Sequence, residues 1–380
     1  MKRVTAQFAV VLYLLLFVHS LAAQELNVWF GTTRNNTGQS SGIWHATFNT
    51  DKGALSKANL ALDIDSPGWI TWHPTLPIIY SIAKLEKNAV VYSINVADDQ
   101  TLSIAQTIVV PNGLCFLKAD QTGSVLIGAS YGGGSVVSIP IGEDGMLVDA
   151  VQKHKHQGGS NVVEGRQESP HPHSVQFSPD NKFVFVPDLG LDQLVVYRFE
   201  AQGKKLTPTE TPIDCVKGGG PRHMKILEGV GEQNRNFAFV LNELELSLSC
   251  FEVFDDGMMK LLQTEATISE QQKSENVFNS ASEIRVHANG KFIYTANRGH
   301  DSISLFHFDR TNFKLTLKQV APIHGAWPRN FNLTPDGKWL LAAAARTNSV
   351  SVFAVDQETG MLTVKRKPVF VPGAICVSIR

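Results

Sequence analysis

The chain has 380 residues, 43% of them hydrophobic, and a formal net charge of −1 from 34 basic and 35 acidic side chains. That composition supports a sizeable core and excludes a disordered chain. No Lys/Arg run or basic stripe is present, so no nucleic-acid partner is expected.

The chain opens on a positive "MKR", an apolar "FAVVLYLLLFV" and a small-residue "HSLAAQE". This is the pattern of a signal peptide, and residues 1–23 are assigned to it, with cleavage near Ala22 or Ala23. An uncleaved anchor is the competing reading. No later segment approaches about 20 apolar residues, so after cleavage no membrane association is expected and the protein is exported, periplasmic or secreted. Cys115, Cys215, Cys250 and Cys376 show no disulfide framework and no zinc spacing, and read as free, mostly buried thiols.

From residue 24 onward the chain reads as one domain built from a repeated β-meander. "LNVWFGT", "SGIWHATFN" and "GALSKA" are three strands lacking a first partner. Complete four-strand units follow from Ser66, Pro111, Glu168, Gly220, Ser280 and Trp327. Each has an alternating run, a turn such as "SPDN" or "TPDG", a second apolar run and two further strands. "PGAICVSIR" ends the chain as a first strand with nothing after it. Joined to the three N-terminal strands, it completes a seventh unit. The repeat interval, roughly 45 to 60 residues, is that of propeller blades. The expected fold is therefore all-β: a seven-bladed propeller of four antiparallel strands per blade, spanning residues 24–380, closed by the C-terminal strand.

In such a meander the start of strand one and the end of strand two emerge on the same face, beside the central channel. The strand-one starts hold His171 and His173, Arg222 and His223, Glu283, and Arg329 with Asn330. The strand-two ends hold Tyr131, Asp188, Asn242 with Glu243, and Asn297 with Arg298. The blades beginning "GWITW" and "NGLCF" carry no charge there, so the charges are expected on one arc. For His171 and Asp188, ligand contact and a structural tie between turns stay open. His223 reads as a cap on a neighbouring blade. Asn242 and Asn297 precede turns, where Asn is common for conformational reasons. Two arginines at a narrow channel mouth call for an anion. "SYGGGSV" lies between two strands and reads as a tight turn that something approaches closely, not a phosphate loop. His154 and His156 in "KHKHQGG" read as a solvated loop. The lone histidines of "WHP" and "VHA" carry no functional assignment.

The stretches "SYGGGSV", "RQESPHPHSVQFSPDNKFVFVPDLGLDQLVVY", "GGGPRHM", "LNEL", "IRVHANGKFIYTANRGHDSISLF" and "WPRNFNLTPDGKWLLAAA" resemble the seven-bladed propeller lactonase family. That family contains propeller-type 6-phosphogluconolactonases and carboxy-muconate lactonizing enzymes. The resemblance runs from about Leu26 to the C-terminus. It implies His173, Arg222, Glu243 and Arg298 as catalytic residues. His171, Asp188, Asn242, Asn297, Glu283 and Arg329 are expected to bind substrate. It also implies a small-molecule lactone substrate, no metal or other cofactor, and a monomer. Activated water would open a sugar lactone, with the arginines stabilising the oxyanion. Lactone formation from a carboxy-muconate, and a non-catalytic exported propeller that binds a ligand or protein, are the alternatives. Three departures from the family pattern stand out: the polar insertion "EGVGEQNRN", alanines where relatives carry Asn or Gln near Ala345, and the leader itself.

Overall fold

The computed structural model describes residues 25–33, 41–276 and 278–380; the predicted signal peptide lies outside them. The described chain forms seven antiparallel sheets arranged as the blades of a propeller. Blade 1 comprises Ile70–Trp72, Ile78–Leu85, Asn88–Val96 and Leu102–Val110, and blades 2 to 6 follow in chain order. In blade 7 the C-terminal strand Ala374–Ile379 is innermost, and Glu25–Thr32 pairs with it, Val28 opposite Ile379 and Phe30 opposite Val377. The chain ends thus meet inside one sheet. Closure satisfies two edges that would otherwise stay open to aggregation.

Second strands read as continuous apolar runs because both of their faces are buried. In blade 3, Phe183 and Phe185 pack toward blade 4, while Val184 and Val186 pack toward blade 2. In blade 4, Phe237, Phe239 and Leu241 turn to blade 5, and Ala238 and Val240 turn back to blade 3. Among the described residues the core divides into seven clusters, each shared by two adjacent blades. The alanines of Trp339–Ala344 belong to this scheme: Ala342 and Ala344 face blade 5, and Ala343 faces blade 7. Polar side chains lock the blades at their outer turns. Tyr80 and Tyr294 each donate a hydroxyl to a turn carbonyl of the following blade, Gly145 at 2.7 Å and Gly360 at 2.8 Å.

The insertion "EGVGEQNRN" does not form a separate loop. It lengthens a hairpin, Pro221–Val230 with Arg235–Asn242, on the face away from the candidate site. One short helix, Glu270–Ser274, with a capping box from Ser269 and Gln272, sits in the connection from blade 4 to blade 5. No helix among the described residues is long and apolar enough to cross a membrane.

The inner strands line a central channel. At one shared register they present Thr71, Lys118, Gln176, Lys225, Arg285, Asn332 and Ser378, one residue per blade. All seven are half-buried, as side chains around a narrow hollow should be.

A chain ending at Gly373 removes the inner strand of blade 7 and strips Ala374 and Val377 from the cluster shared with blade 6. It is expected to lose cooperative thermal unfolding and to aggregate. Circular dichroism melts and light scattering against the full chain check this; an unchanged melting curve would show that closure contributes little.

Candidate active site

The site follows from what happens where second strands leave their ladders. In five blades the ladder between strands two and three closes on Ser130, Asp188, Asn242, Asn297 or Ala344. These side chains are buried and do not line the cavity. The next residues, Tyr131, Leu189, Glu243, Arg298 and Ala345, occupy the other position of the two-residue alternation at the channel end of the sheet. In blade 1 the hairpin continues further. Lys84 stands four residues after Tyr80, as Arg298 stands four after Tyr294, and so holds the same position.

Glu243 is the hub. Its Oε2 accepts from Arg222 Nη1, and its Oε1 accepts from Arg166 Nη2 at 2.8 Å and Arg298 Nη2 at 3.1 Å. His173 Nε2 accepts from Arg222 Nη1 and lies 3.9 Å from Glu243 Oε2. A guanidinium only donates, so the neutral imidazole carries its proton on Nδ1, which faces Cys115 Sγ at 3.7 Å. The four residues predicted as catalytic are therefore brought together, each between 3% and 5% exposed. Arg222 is held from behind by Nε donating to the Ser282 carbonyl at 2.7 Å, and Arg298 by Nη2 donating to the Ala281 carbonyl at 2.9 Å.

Electrostatics fixes the protonation of this group. Burial of Glu243 favours the neutral acid, but the Arg222, Arg298 and Arg166 guanidiniums outweigh it and hold the carboxyl well below the usual carboxylate range. Burial and then Arg222 and His223 press His173 well below the ordinary imidazole value, with Glu243 opposing. Burial pushes the Cys115 thiol up to about 11, so it stays protonated.

His173 and Arg222 open onto a cavity of about 700 Å³, which Arg329, His223 and Cys115 also line. Its far wall comes from blade 1: Trp69, Lys84, Glu86 and Lys87. The expectation that blade 1 is uncharged at this face therefore fails. The first strand of blade 1 is bland, but its long hairpin carries Lys84 and Lys87 to the rim, so cations face the cavity from both sides.

The remaining candidates divide. Arg329 lines the cavity; His171 does not, being stacked on Tyr131 at 4.4 Å and hydrogen-bonded through Nδ1 to the Tyr131 carbonyl. Asp188 does not reach the cavity. It is fully buried, accepting from the amides of His171, Gly190 and Leu191 and facing His156 Nδ1 at 2.6 Å. Asn242 and Asn297 are also fully buried; each donates to two serines, Ser247 with Ser249 and Ser302 with Ser304. Glu283 lies one layer below, accepting from His223, Arg285 and Asn330. Asp188, Asn242 and Asn297 stand one residue before Leu189, Glu243 and Arg298, and the two-residue alternation turns them away from the cavity; Glu283 is on a first strand and is turned down to the channel layer instead.

His223 does tie to the neighbouring blade, pairing with Glu283 of blade 5 at 3.1 Å against Trp69 and Phe116, and it also lines the cavity. His156 is not in a solvated loop. "QKHK" is the fourth strand of blade 2, and His156 just beyond it is buried between Asp188 and Tyr197. What approaches the "SYGGGSV" turn is the Pro170–His171 segment: a Cβ on Gly134, whose φ is +56°, would meet the Pro170 carbonyl oxygen at 3.1 Å. Arg166 was missed altogether. It lies in a polar inter-blade loop with no spacing signal, whereas Lys84 was accessible by counting register from Tyr80.

A family model described as "Lactonase, 7-bladed beta-propeller" matches residues 27–379. The 6-phosphogluconolactonase of Bacillus subtilis is 30% identical over 344 residues, covering 90% of this chain and 95% of its own. The 6-phosphogluconolactonase of Formosa agariphila is 29% identical over 335 residues, covering 85% of this chain and 90% of its own. Among solved structures, the Pseudomonas aeruginosa periplasmic gluconolactonase superimposes with a TM-score of 0.84 at 25% identity, covering 94% of this chain and 99% of its own. With a closed ring of seven blades, one buried cluster of His, Arg and Glu at its mouth and a family match along almost its whole length, the chain belongs to the seven-bladed β-propeller lactonase family.

Proposed function

We propose that the protein hydrolyses an aldonolactone, preferentially one bearing an anionic substituent, outside the cytoplasm. The observation that carries this reading is the hydrogen-bonded set His173–Arg222–Glu243 opening onto a cavity with cations on opposite walls. The names of the relatives above support the substrate class. The leader pattern, together with the periplasmic relative, supports the location.

The division of labour follows from the proton affinities. Glu243 is too weak a base, because three guanidiniums stabilise its carboxylate. His173 is neutral and presents its Nε2 lone pair, which an incoming water can take over from Arg222. Water attacks the lactone carbonyl carbon while His173 accepts its proton. Arg222, with Arg329 beside it on the cavity wall, stabilises the oxyanion. Collapse breaks the bond from acyl carbon to ring oxygen, and His173 returns the proton to the departing alkoxide. The product is the open hydroxy acid. Glu243, 3.9 Å from Nε2, offsets the positive charge that His173 carries in between. Lys84 and Lys87 on the opposite wall suit a phosphate or carboxylate remote from the ring.

Three outcomes test the reading. Arg222→Ala is expected to lower kcat/KM by about two to three orders of magnitude, measured on gluconolactone and 6-phosphogluconolactone after subtracting spontaneous opening. Arg222→Lys should recover little, since one ammonium cannot serve Ser282, Glu243 and His173 together. An unchanged rate would remove Arg222 from the chemistry. The second concerns pH. A general base works deprotonated, and the His173 pKa is depressed, so kcat/KM should stay level from pH 8 down to pH 6 and fall only at lower pH. A fall centred near 6.5 would point to an unperturbed histidine instead. Third, Lys84→Met should raise KM for the phosphorylated lactone and leave the plain lactone nearly unaffected. Equal effects on both would show that Lys84 does not read the anionic group.

A further inference from the structure

Below the candidate active site, the channel ring described above holds three cations and no acid. Lys118 comes from blade 2, Lys225 from blade 4 and Arg285 from blade 5, all at one register of the inner strands. The carboxylate that acts on Lys225 and Arg285 is Glu283, one layer up, and it already accepts from His223 and Asn330 as well as Arg285. Lys118 Nζ donates once, to Gln176 Oε1 at 2.9 Å. Arg285 gives Nε to Asn332 Oδ1 at 3.1 Å and Nη1 to Glu283 and a backbone carbonyl, leaving Nη2 unused. The Lys225 ammonium has no hydrogen-bond partner among the described residues, although it stands on an inner strand within the field of Lys118, Glu283 and Arg285. Three positive charges against one shared negative charge, with several donors unspent, are costly in a narrow hollow unless an anion joins them.

We propose that this ring is a second, interior anion site, distinct from the catalytic cavity and reading a small inorganic anion through Lys118, Lys225 and Arg285. Its entrance is the opposite face. A separate cavity of about 170 Å³ is lined by Lys118 and Gln176 of the ring together with Trp72, Asp120 and Glu228, and leads to the ring rather than including Lys225 or Arg285; the Asp120 carboxylate in it is taken up by the amides of Thr122, Ser124 and Val125 and by Asn181. That volume admits a halide or a single phosphate, not a sugar lactone. Glu283 and Asn330 form the layer between the ring and the cavity above, so the two sites are separated by hydrogen-bonded side chains rather than by open space. Burial and then Arg285 press the Lys225 ammonium down to about 7, and burial presses Lys118 to about 8, with Glu283 the counterweight at Lys225. An anion would restore both charges. The ring is independent of the lactonase reading, since none of its members touches the His173–Arg222–Glu243 set.

The test uses the full mature protein and sodium bromide at pH 6, where both lysines carry protons, with a bulky organic sulfonate at the same ionic strength as control. Bromide is expected to raise the melting temperature by about 3 °C or more over the control. Crystals soaked in bromide should show an anomalous peak within contact distance of the Lys225 amine. Lys225→Met keeps most of the side-chain bulk and removes the unpartnered charge. It should raise the anion-free melting temperature, abolish the bromide response and leave lactone hydrolysis as in the parent. A bromide response that persists in Lys225→Met, or an anomalous map without a peak in the ring, overturns the proposal. Should the variant not fold, the map of the parent protein decides alone. A parent protein that shows the anomalous peak but hydrolyses no lactone would count against the active-site assignment, not against the ring.

Discussion

The structure rests on one constraint: the second strand of every blade is buried on both faces. Each face is claimed by a different neighbour, so a slip of one residue would exchange what blade 4 receives from blade 3 with what blade 2 receives. Register is therefore specified from both sides at once, and closure through the C-terminal strand makes the specification circular. The seven shared clusters have no terminal member left half-covered. Because the ladder register is fixed so tightly, the residue just past its end is placed as firmly as the core. Glu243 and Arg298 owe their positions to this, although neither packs in an apolar cluster.

What the ring positions is an imbalance of charge. One carboxylate, Glu243, serves three guanidiniums, and a fourth, Arg329, stands beside them on the cavity wall. Burying a charge pair is not in itself stabilising, because the desolvation cost rivals the attraction. The arrangement makes sense as a held electrostatic field: the arginines are pinned by Glu243 and by the Ser282 and Ala281 carbonyls, so they need not reorganise when negative charge develops in the cavity. The same field disfavours protonated His173, which keeps a base available but makes its conjugate acid short-lived. A histidine that must return its proton promptly to an alkoxide is well served by that.

The fold was readable because blade repeats are sequence repeats: the turn phrases and the unpaired first strand at the C-terminus correspond directly to sheets and to their closure. The convergence of His173, Arg222, Glu243 and Arg298 was readable from strand ends together with family motifs. The parts that failed did so for local reasons. Asp188, Asn242 and Asn297 sit one residue before the positions that emerge, and a reading that treats "the end of strand two" as a zone cannot separate them. His156 depended on where the fourth strand of blade 2 begins, and short outer strands carry the weakest pattern. Arg166 reaches Glu243 from an irregular loop, where neither periodicity nor spacing says which way a side chain turns.

The histidines show how one residue type acquires two fates on opposite faces. His73 and His287 follow inner strands at the far face, and their Nδ1 atoms accept backbone amides of the turns that follow, from Thr75 and Leu76 and from Asn289. His287 Nε2 also meets the Gly337 carbonyl of the next blade at 3.1 Å. Those partners are backbone groups, fixed by the ladder, so the imidazole is a strut. His173 has a buried ring as well, but the partner of its Nε2 is a side chain with donors to spare. A water or a carbonyl oxygen can displace that contact without leaving Arg222 unpaired, because Glu243 and Ser282 still hold it. Exchangeability of one hydrogen bond, more than burial or proximity, separates the reactive imidazole from the structural ones.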